Sequence, residues 1–147
     1  MKQYNDTVEF SFYQLLLLSF LKESHPELAE RQTFIRGRAA QASEAYAEAF
    51  DNGLDIQECR AVANNVLYAG LHFSRHDTIV GILWNEFNGI VSIDDSFACA
   101  IRLRPLLDPI FRKYTLTDDF VYSPEYQGLY TELVGAIEQK VEDDGCL

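Results

Sequence analysis

The stretch Leu71–Phe87, LHFSRHDTIVGILWNEF, decides where the central helices begin and end. Because it holds two of the chain's three histidines and its single tryptophan, it could be either a metal or active site or a helix boundary. Ser74 is followed three residues later by Asp77 and then by an apolar run, which is the spacing of a helix N-cap. We therefore predict that a new helix begins directly after Ser74, and that this boundary separates His72 from His76.

Similar start and stop signals recur on both sides of this stretch. Asp55 and Glu58 have the spacing of a capping box, and Ser123-Pro124-Glu125 is a typical helix start. A proline interrupts helical hydrogen bonding, so Pro105 and Pro109 predict a break or kink in the helix that Ser92 or Asp94 begins. The predicted helices cover residues 10–23, a short segment at 26, 33–51, 56–70, 75–88, 94–102, 106–114 and 124–141.

These signals indicate the fold class, since no βαβ pattern and no internal repeat occurs in the sequence. We predict an all-α protein, a compact multihelical bundle of six to seven helices in a single domain over residues 1–147, with residues 143–147 as a frayed tail. The helix over residues 10–23 is apolar nearly all round, which predicts burial on most sides or a place at an oligomer interface.

Charge and composition limit the classes of partner. The chain has 23 acidic and 12 basic residues, a formal net charge of -11, so general nucleic-acid binding is unlikely because such binding depends on Lys and Arg. The apolar run FSFYQLLLLSFL is too short to span a bilayer and lacks a basic segment before it, which predicts no membrane association and a cytoplasmic protein.

The three cysteines, Cys59, Cys99 and Cys146, are far apart and form no CxxC pair. We expect no disulfide framework or zinc knuckle from them. Cys59 and Cys99 stand among apolar positions and are predicted to pack as small buried hydrophobic side chains.

Residues with catalytic or metal-binding chemistry are scattered. His72, His76 and Glu86 are weak metal candidates, since two histidines four apart bind a metal only on one continuous helix. No nucleophile motif and no glycine-rich phosphate loop is present, so we predict no catalytic residue, no cofactor-binding residue and no cofactor.

Aromatic side chains with polar atoms suggest an interaction surface instead, because Tyr and Trp are enriched at interfaces. The candidates for such a surface are Trp84, Asn85, Glu86, Tyr122, Tyr126 and Tyr130. Core packing is the alternative for each of them. A basic run could receive an acidic partner or be a solvated face, and it consists of Arg102, Arg104, Arg112 and Lys113.

Five runs in fixed order carry a resemblance to a known family: SFLKESHPELA, FIRGRA, GLHFSRHDT, LWNEF and LTDDFVYSPEYQGLYTEL. Over nearly its whole length the chain resembles a family of small uncharacterised, all-helical proteins of Bacteroidetes, a domain of unknown function often carried near conjugative transposons. The resemblance implies a compact multihelical fold in a bacterial cytoplasm, and it implies no catalytic residues.

Three hypotheses for function follow. The first is a non-enzymatic accessory or regulatory protein that binds another protein, or itself as a homo-oligomer. The resemblance implies a link to mobile elements. The second is an acidic mimic of DNA that decoys DNA-binding enzymes, which requires carboxylates in a regular band. The third is an enzyme with an unrecognised site built from His72, His76 and Glu86.

Overall fold

The computed structural model describes the backbone of residues 6–144 and the side chains of residues 9–141. Over these residues the chain forms six α-helices and two 3-10 turns, and no strand, so the all-α class is confirmed. The α-helices are α1 (Asp6–Ser24), α2 (Gln32–Asp51), α3 (Ile56–Leu67), α4 (Arg75–Glu86), α5 (Ile93–Phe111) and α6 (Glu125–Asp144), and the 3-10 turns are Pro26–Leu28 and Phe120–Tyr122.

The chain divides into two compact units, Met1–Ala69 and Gly70–Leu147, which we describe separately. A single domain over residues 1–147 therefore stays a prediction. The helix α6 continues to Asp144, and residues 145–147 lie outside the described part of the chain, so the frayed tail stays a prediction as well.

In the first unit, α2 packs against both α1 and α3. The buried positions of α1 are Tyr13, Leu17 and Leu21, which recur every four residues and so form one stripe. Phe12 and Leu15 are 53% and 67% exposed. The prediction that this helix is buried on most sides by its own chain is thus wrong, and the oligomer-interface alternative stays a prediction.

The predicted helix starts are confirmed at atomic detail. Asp55 accepts a hydrogen bond from the Glu58 N–H at 2.8 Å while the Glu58 carboxylate accepts from the Asp55 N–H at 3.0 Å, which completes a capping box. The Ser74 hydroxyl accepts from the Asp77 N–H at 2.9 Å and begins α4. Each cap satisfies a backbone donor that the first turn of a helix leaves unpaired.

The predicted break at Pro105 and Pro109 is wrong, since α5 runs without interruption from Ile93 to Phe111, and the alternative of a kink there stays a prediction. Both prolines lie on the exposed side of α5. The helix begins after the Ser92 cap, whose hydroxyl accepts a hydrogen bond from the Asp95 N–H at 3.2 Å. The two missing hydrogen bonds are offset by burial of the opposite side of the helix. That side contributes Ser96, Cys99, Ala100, Leu103, Leu107 and Phe111.

The core of the second unit is built from α4, α5 and α6. Its fully buried aliphatic side chains include Ile79, Ile82, Leu83, Leu107, Leu129, Leu133 and Ile137. Cys59 in the first unit and Cys99 in the second are both 0% exposed, as predicted. Cys99 is also disulfide-bonded, which the sequence analysis did not predict.

Two charged side chains bind the backbone where the first unit ends, at Ala69, and where the second unit begins, at Gly70. In the first unit, Arg38 Nη1 donates to the Ala69 carbonyl at 2.7 Å and to the Leu67 carbonyl at 3.2 Å. In the second unit, the Asp118 carboxylate accepts from the N–H groups of Gly70 at 2.9 Å and His72 at 3.0 Å. Gly70 has a φ of 78°, a backbone conformation that residues with a side chain rarely adopt.

Candidate functional site

The three predicted metal candidates occupy different environments. His72 precedes the Ser74 cap and its Nδ1 lies 4.0 Å from Asp118 Oδ2. His76 is in the first turn of α4, is 2% exposed and packs its ring 4.4 Å from the ring of Phe97. The cap therefore removes the shared helical face that a His-x₃-His metal site requires.

Glu86, the third candidate, ends the same helix and accepts a hydrogen bond from the Tyr130 hydroxyl at 3.0 Å. It lies ten positions beyond His76, roughly 15 Å along the axis of a straight helix. Within residues 9–141, no group of three or more His, Cys, Asp and Glu side chains is arranged to hold a metal ion. The structure thus does not bring these candidates together.

The predicted interaction surface divides into three parts. Glu86 and Asn85 both hydrogen-bond the Tyr130 hydroxyl, and Tyr126 lies beside Tyr130 with ring centroids 6.2 Å apart. Burial, followed by the bond to Glu86, raises the pKa of Tyr130 above its ordinary value, although the bond to Asn85 acts the other way. Asn85 and Glu86 thus connect α4 to Tyr130 of α6, whereas the contact between Tyr126 and Tyr130 lies within α6.

The other two predicted surface residues lie elsewhere. Trp84 points towards α5, where its Nε1 donates to the Ser96 hydroxyl at 2.7 Å, while about half of its side chain stays exposed. Tyr122 is 88% exposed in the second 3-10 turn, two residues after the buried Phe120. The sequence therefore identified exposed aromatic residues, but the structure does not bring the predicted six into one surface.

Carboxylates are distributed through both units and many stabilise the fold. Asp108 pairs with Arg75 at 2.9 Å and with Arg104 at 3.1 Å. Other carboxylates with hydrogen bonds inside their own unit include Asp55, Glu58, Glu86, Asp95, Asp118, Asp119 and Glu132. A DNA mimic would need such groups free to face a DNA-binding protein, so their engagement gives that hypothesis no support.

A groove of about 610 Å³ runs along α2 in the first unit. Its lining residues are Phe10, Ala40, Ser43, Glu44, Ala47, Glu48, Asp51 and Asn52. The ionisable groups among them are three carboxylates, and none of the predicted enzyme candidates lines the groove. This groove therefore adds nothing to the enzyme hypothesis.

The outward face of α5 is the feature that the sequence analysis missed. It carries a run of exposed apolar residues over more than three helical turns, with an exposed acid before it and an exposed base after it. We call the apolar run the α5 strip; it consists of Phe97, Ala98, Ile101, Pro105 and Pro109. The flanking charges are Asp94 and Arg112.

The α5 strip is held firmly by contacts of its own unit. Phe97 is 42% exposed, and it packs edge to face on the buried His76 ring. The ion pair of Arg75 with Asp108 ties the first turn of α4 to α5, and the Trp84–Ser96 hydrogen bond ties the end of α4 to the start of α5. A surface that is already fixed loses less conformational entropy on binding.

The C-terminal end of α5 is held by α6. Lys113 donates to the Glu132 carboxylate at 2.6 Å, and the Tyr114 hydroxyl donates to the same carboxylate. These two bonds, that of Lys113 first, lower the pKa of Glu132, while the bond to Glu132 raises the pKa of Tyr114. Both ends of α5 are therefore tied to neighbouring helices.

A sequence signal for the α5 strip did exist. Phe97, Ile101, Pro105 and Pro109 recur at intervals of four, which places them along one side of any helix that continues through the prolines. The assumption that proline ends a helix hid this pattern. A proline facing solvent costs the helix a hydrogen bond but causes no clash with the buried side, so the helix can continue.

No helix in the described part of the chain is both long and apolar enough to cross a membrane. That finding covers α1, whose apolar run resembles a membrane segment in the sequence.

Comparisons with known proteins agree with the fold and with the resemblance. The family model described as a domain of unknown function (DUF1896) matches residues 5–146. The crystal structure of protein PG0816 from Porphyromonas gingivalis is 38% identical, covers 97% of each chain and has a TM-score of 0.90. A comparison with curated proteins found no match. The association with conjugative transposons stays a prediction. By the family model and by this similarity, the chain belongs to the DUF1896 family, a domain of unknown function.

Proposed function

We propose that this protein acts without catalysis, by binding another protein chain through the α5 strip. The observation that carries the proposal is a row of exposed apolar side chains on one face of a helix whose opposite face is fully packed. Contiguous exposed apolar surface is uncommon on a monomer, whereas it is typical of a binding site.

The composition of the strip supports this proposal. Phe97 and Ile101 are 42% and 44% exposed, and proline rings continue the same line along the helix, so the row from Phe97 to Pro109 is itself apolar. Asp94 and Arg112 stand at the two ends, and the exposed Arg102 lies at one edge beside Ile101. An apolar centre with a charged rim is the usual anatomy of a protein interface.

An accessory or regulatory role, including a role on a mobile element, belongs to the same proposal. Such a role requires only binding, and the strip offers a surface for binding on the second unit. The cytoplasmic location predicted from the sequence is part of this proposal as well.

Site-specific photo-crosslinking tests the proposed function. A photoreactive amino acid replaces Ile101, and the matched control places it at the exposed Glu138 of α6. We expect crosslinks to a defined protein chain, identified by mass spectrometry, from position 101 in cells that express the protein natively. Position 138 should give none to that chain.

A second variant separates specific binding from general stickiness. Ile101→Glu places a charge in the centre of the strip, so it should abolish the crosslink formed from a photoreactive residue at position 97. Equal crosslinking from positions 101 and 138, or a crosslink at position 97 that survives Ile101→Glu, would overturn the proposal.

A further inference from the structure

The outward face of α5 has a direction, because its two ends carry opposite charges. Asp94 and Arg112 are exposed and lie eighteen residues apart. At 3.6 residues per turn this separation is five full turns, so both side chains leave the helix on the same line, ~27 Å apart. The α5 strip fills the interval between them.

That order of charges is self-complementary. If two copies of α5 lie antiparallel with their centres at Leu103, position 94 of each copy faces position 112 of the other. The same register places Phe97 opposite Pro109 and Ile101 opposite Pro105. Apolar residues then meet apolar residues, and an acid meets a base at both ends. The exposed Arg102 of each copy lies near the centre, where the two like charges act against association.

We propose that the α5 strip binds the α5 strip of a second copy of this chain, in antiparallel orientation about a two-fold axis. The inference rests on the proposed function, since it names the partner of the same surface. An isologous interface of this kind uses one patch twice, so a single helix face is sufficient to build it.

Electrostatics select the orientation. A parallel pair would place Asp94 against Asp94 and Arg112 against Arg112, which is unfavourable at both ends, whereas the antiparallel pair makes two favourable contacts. In the antiparallel pair, the positive end of each helix dipole also lies beside the negative end of the other, which is favourable. The charges therefore determine the direction in which two copies meet.

The same physics predicts a weak dimer. Each copy carries a formal charge of -11, so two copies repel each other at long range. Prolines on the solvent side favour a helix that is convex outwards, so the central Ile101–Pro105 contact should dominate and the end charges should mainly set direction. One helix face buries an area near the lower limit for specific interfaces, so we expect micromolar association.

Sedimentation velocity of the full chain across the micromolar range tests the inference. Wild type should shift from monomer to dimer with concentration. Ile101→Glu should weaken association by ~100-fold or more, because it places a carboxylate in both halves of the apolar centre. Ile56→Glu is the matched control, since Ile56 is 56% exposed on α3 and should leave the dimer unchanged.

Charge reversal tests the orientation. Asp94→Arg and Arg112→Asp each create two like-charge pairs in an antiparallel dimer, so each should weaken association by ~10-fold. The double variant, D94R with R112D, restores both attractions and should recover the wild-type association. Mixing the two single variants should also recover it, as a heterodimer, which requires no change in the fold of either chain.

Each outcome is decisive. A monomer at every concentration, or single reversals that leave association unchanged, would overturn the inference. If the chain is monomeric while position 101 still crosslinks a different protein, self-association fails and the proposed function stands. If a dimer forms and ignores every change on the strip, then the strip is not the dimer surface and this inference fails, while crosslinking from position 101 still decides the proposed function.

Discussion

Helices α1 and α5 are both nineteen residues long, and both expose apolar side chains, but they do so in different ways. On α1, the exposed Phe12 and Leu15 are interleaved with the exposed Ser11 and Ser19. On α5, the exposed apolar residues recur every four positions and stand between Asp94 and Arg112.

The two helices also differ in how they are held. Apolar packing of Tyr13, Leu17 and Leu21 holds α1 in the first unit. On α5, apolar packing is joined by a Ser92 cap at the start and by the Lys113 and Tyr114 bonds to α6 at the end. The comparison teaches that exposure alone does not define a binding surface, because order along the face and rigidity matter as well.

The largest expected effect is a loss of stability on substitution at the buried face of α1, which distinguishes that face from the exposed one. Leu17→Ala should lower the free energy of unfolding by about 2–5 kcal/mol, because Leu17 is 0% exposed and its loss leaves a cavity. Leu15→Ala, on the opposite face, should change it by less than about 0.5 kcal/mol. Urea titration followed by circular dichroism measures both. Equal losses would mean that α1 is covered on both faces.

The next effect concerns the start of α5. Ser92→Ala should destabilise the chain by about 1 kcal/mol, since the Asp95 N–H loses its side-chain acceptor. Ser19→Ala is the matched control on the exposed face of α1, and alanine there costs nothing or stabilises slightly. If thermal unfolding finds the two variants equivalent, the cap does not hold α5.

The smallest effect is a pH dependence at the other end of α5. The bonds from Lys113 and Tyr114 lower the pKa of Glu132, so their stabilisation is present above the ordinary value of 4.5 and is lost as the pH falls below it. Glu132→Gln should remove this part of the acid sensitivity. The matched control is Glu138→Gln, an exposed position on the same helix. Denaturant midpoints measured from pH 3 to 7 test this prediction. Identical plots of midpoint against pH for wild type and Glu132→Gln would contradict it.

At alkaline pH, Tyr114 gives a change in stability of the opposite sign, because its pKa is raised rather than lowered. The bond to Glu132 raises the pKa of Tyr114 above the ordinary 10.0, so its contribution is present below that value and is lost as the pH rises through the folded value. Tyr114→Phe should flatten the alkaline part of the profile while leaving the packing of the ring on Phe120 in place.

Local signals predicted most of the fold because they depend on neighbours in sequence. The caps at Asp55 and Ser74 need a side-chain oxygen and an N–H three residues later, which the sequence shows directly. Continuity of α5 through Pro105 and Pro109 depends instead on which side of the helix faces solvent, and that is decided by distant residues of the core. The sequence alone could not supply this information.

The candidate site was harder to predict for the same reason. Trp84 and Tyr130 were recognised as aromatic residues with polar atoms, yet their partners, Ser96 and Glu86, are twelve and forty-four residues away. Separating a structural aromatic residue from a surface one requires those partners. The α5 strip was visible as a spacing of four, but only after the helix was known to be continuous.

The backbone bonds of Arg38 and Asp118 have a consequence for proteolysis. A protease must draw a loop into an extended form before it can cut, so hydrogen-bonded connections resist nicking while free loop tips do not. The carbonyl groups of Leu67 and Ala69 accept hydrogen bonds from the Arg38 guanidinium, and the N–H groups of Gly70 and His72 donate to the Asp118 carboxylate. The connection between the two units should therefore survive limited digestion, whose fragments would not mark the unit boundary.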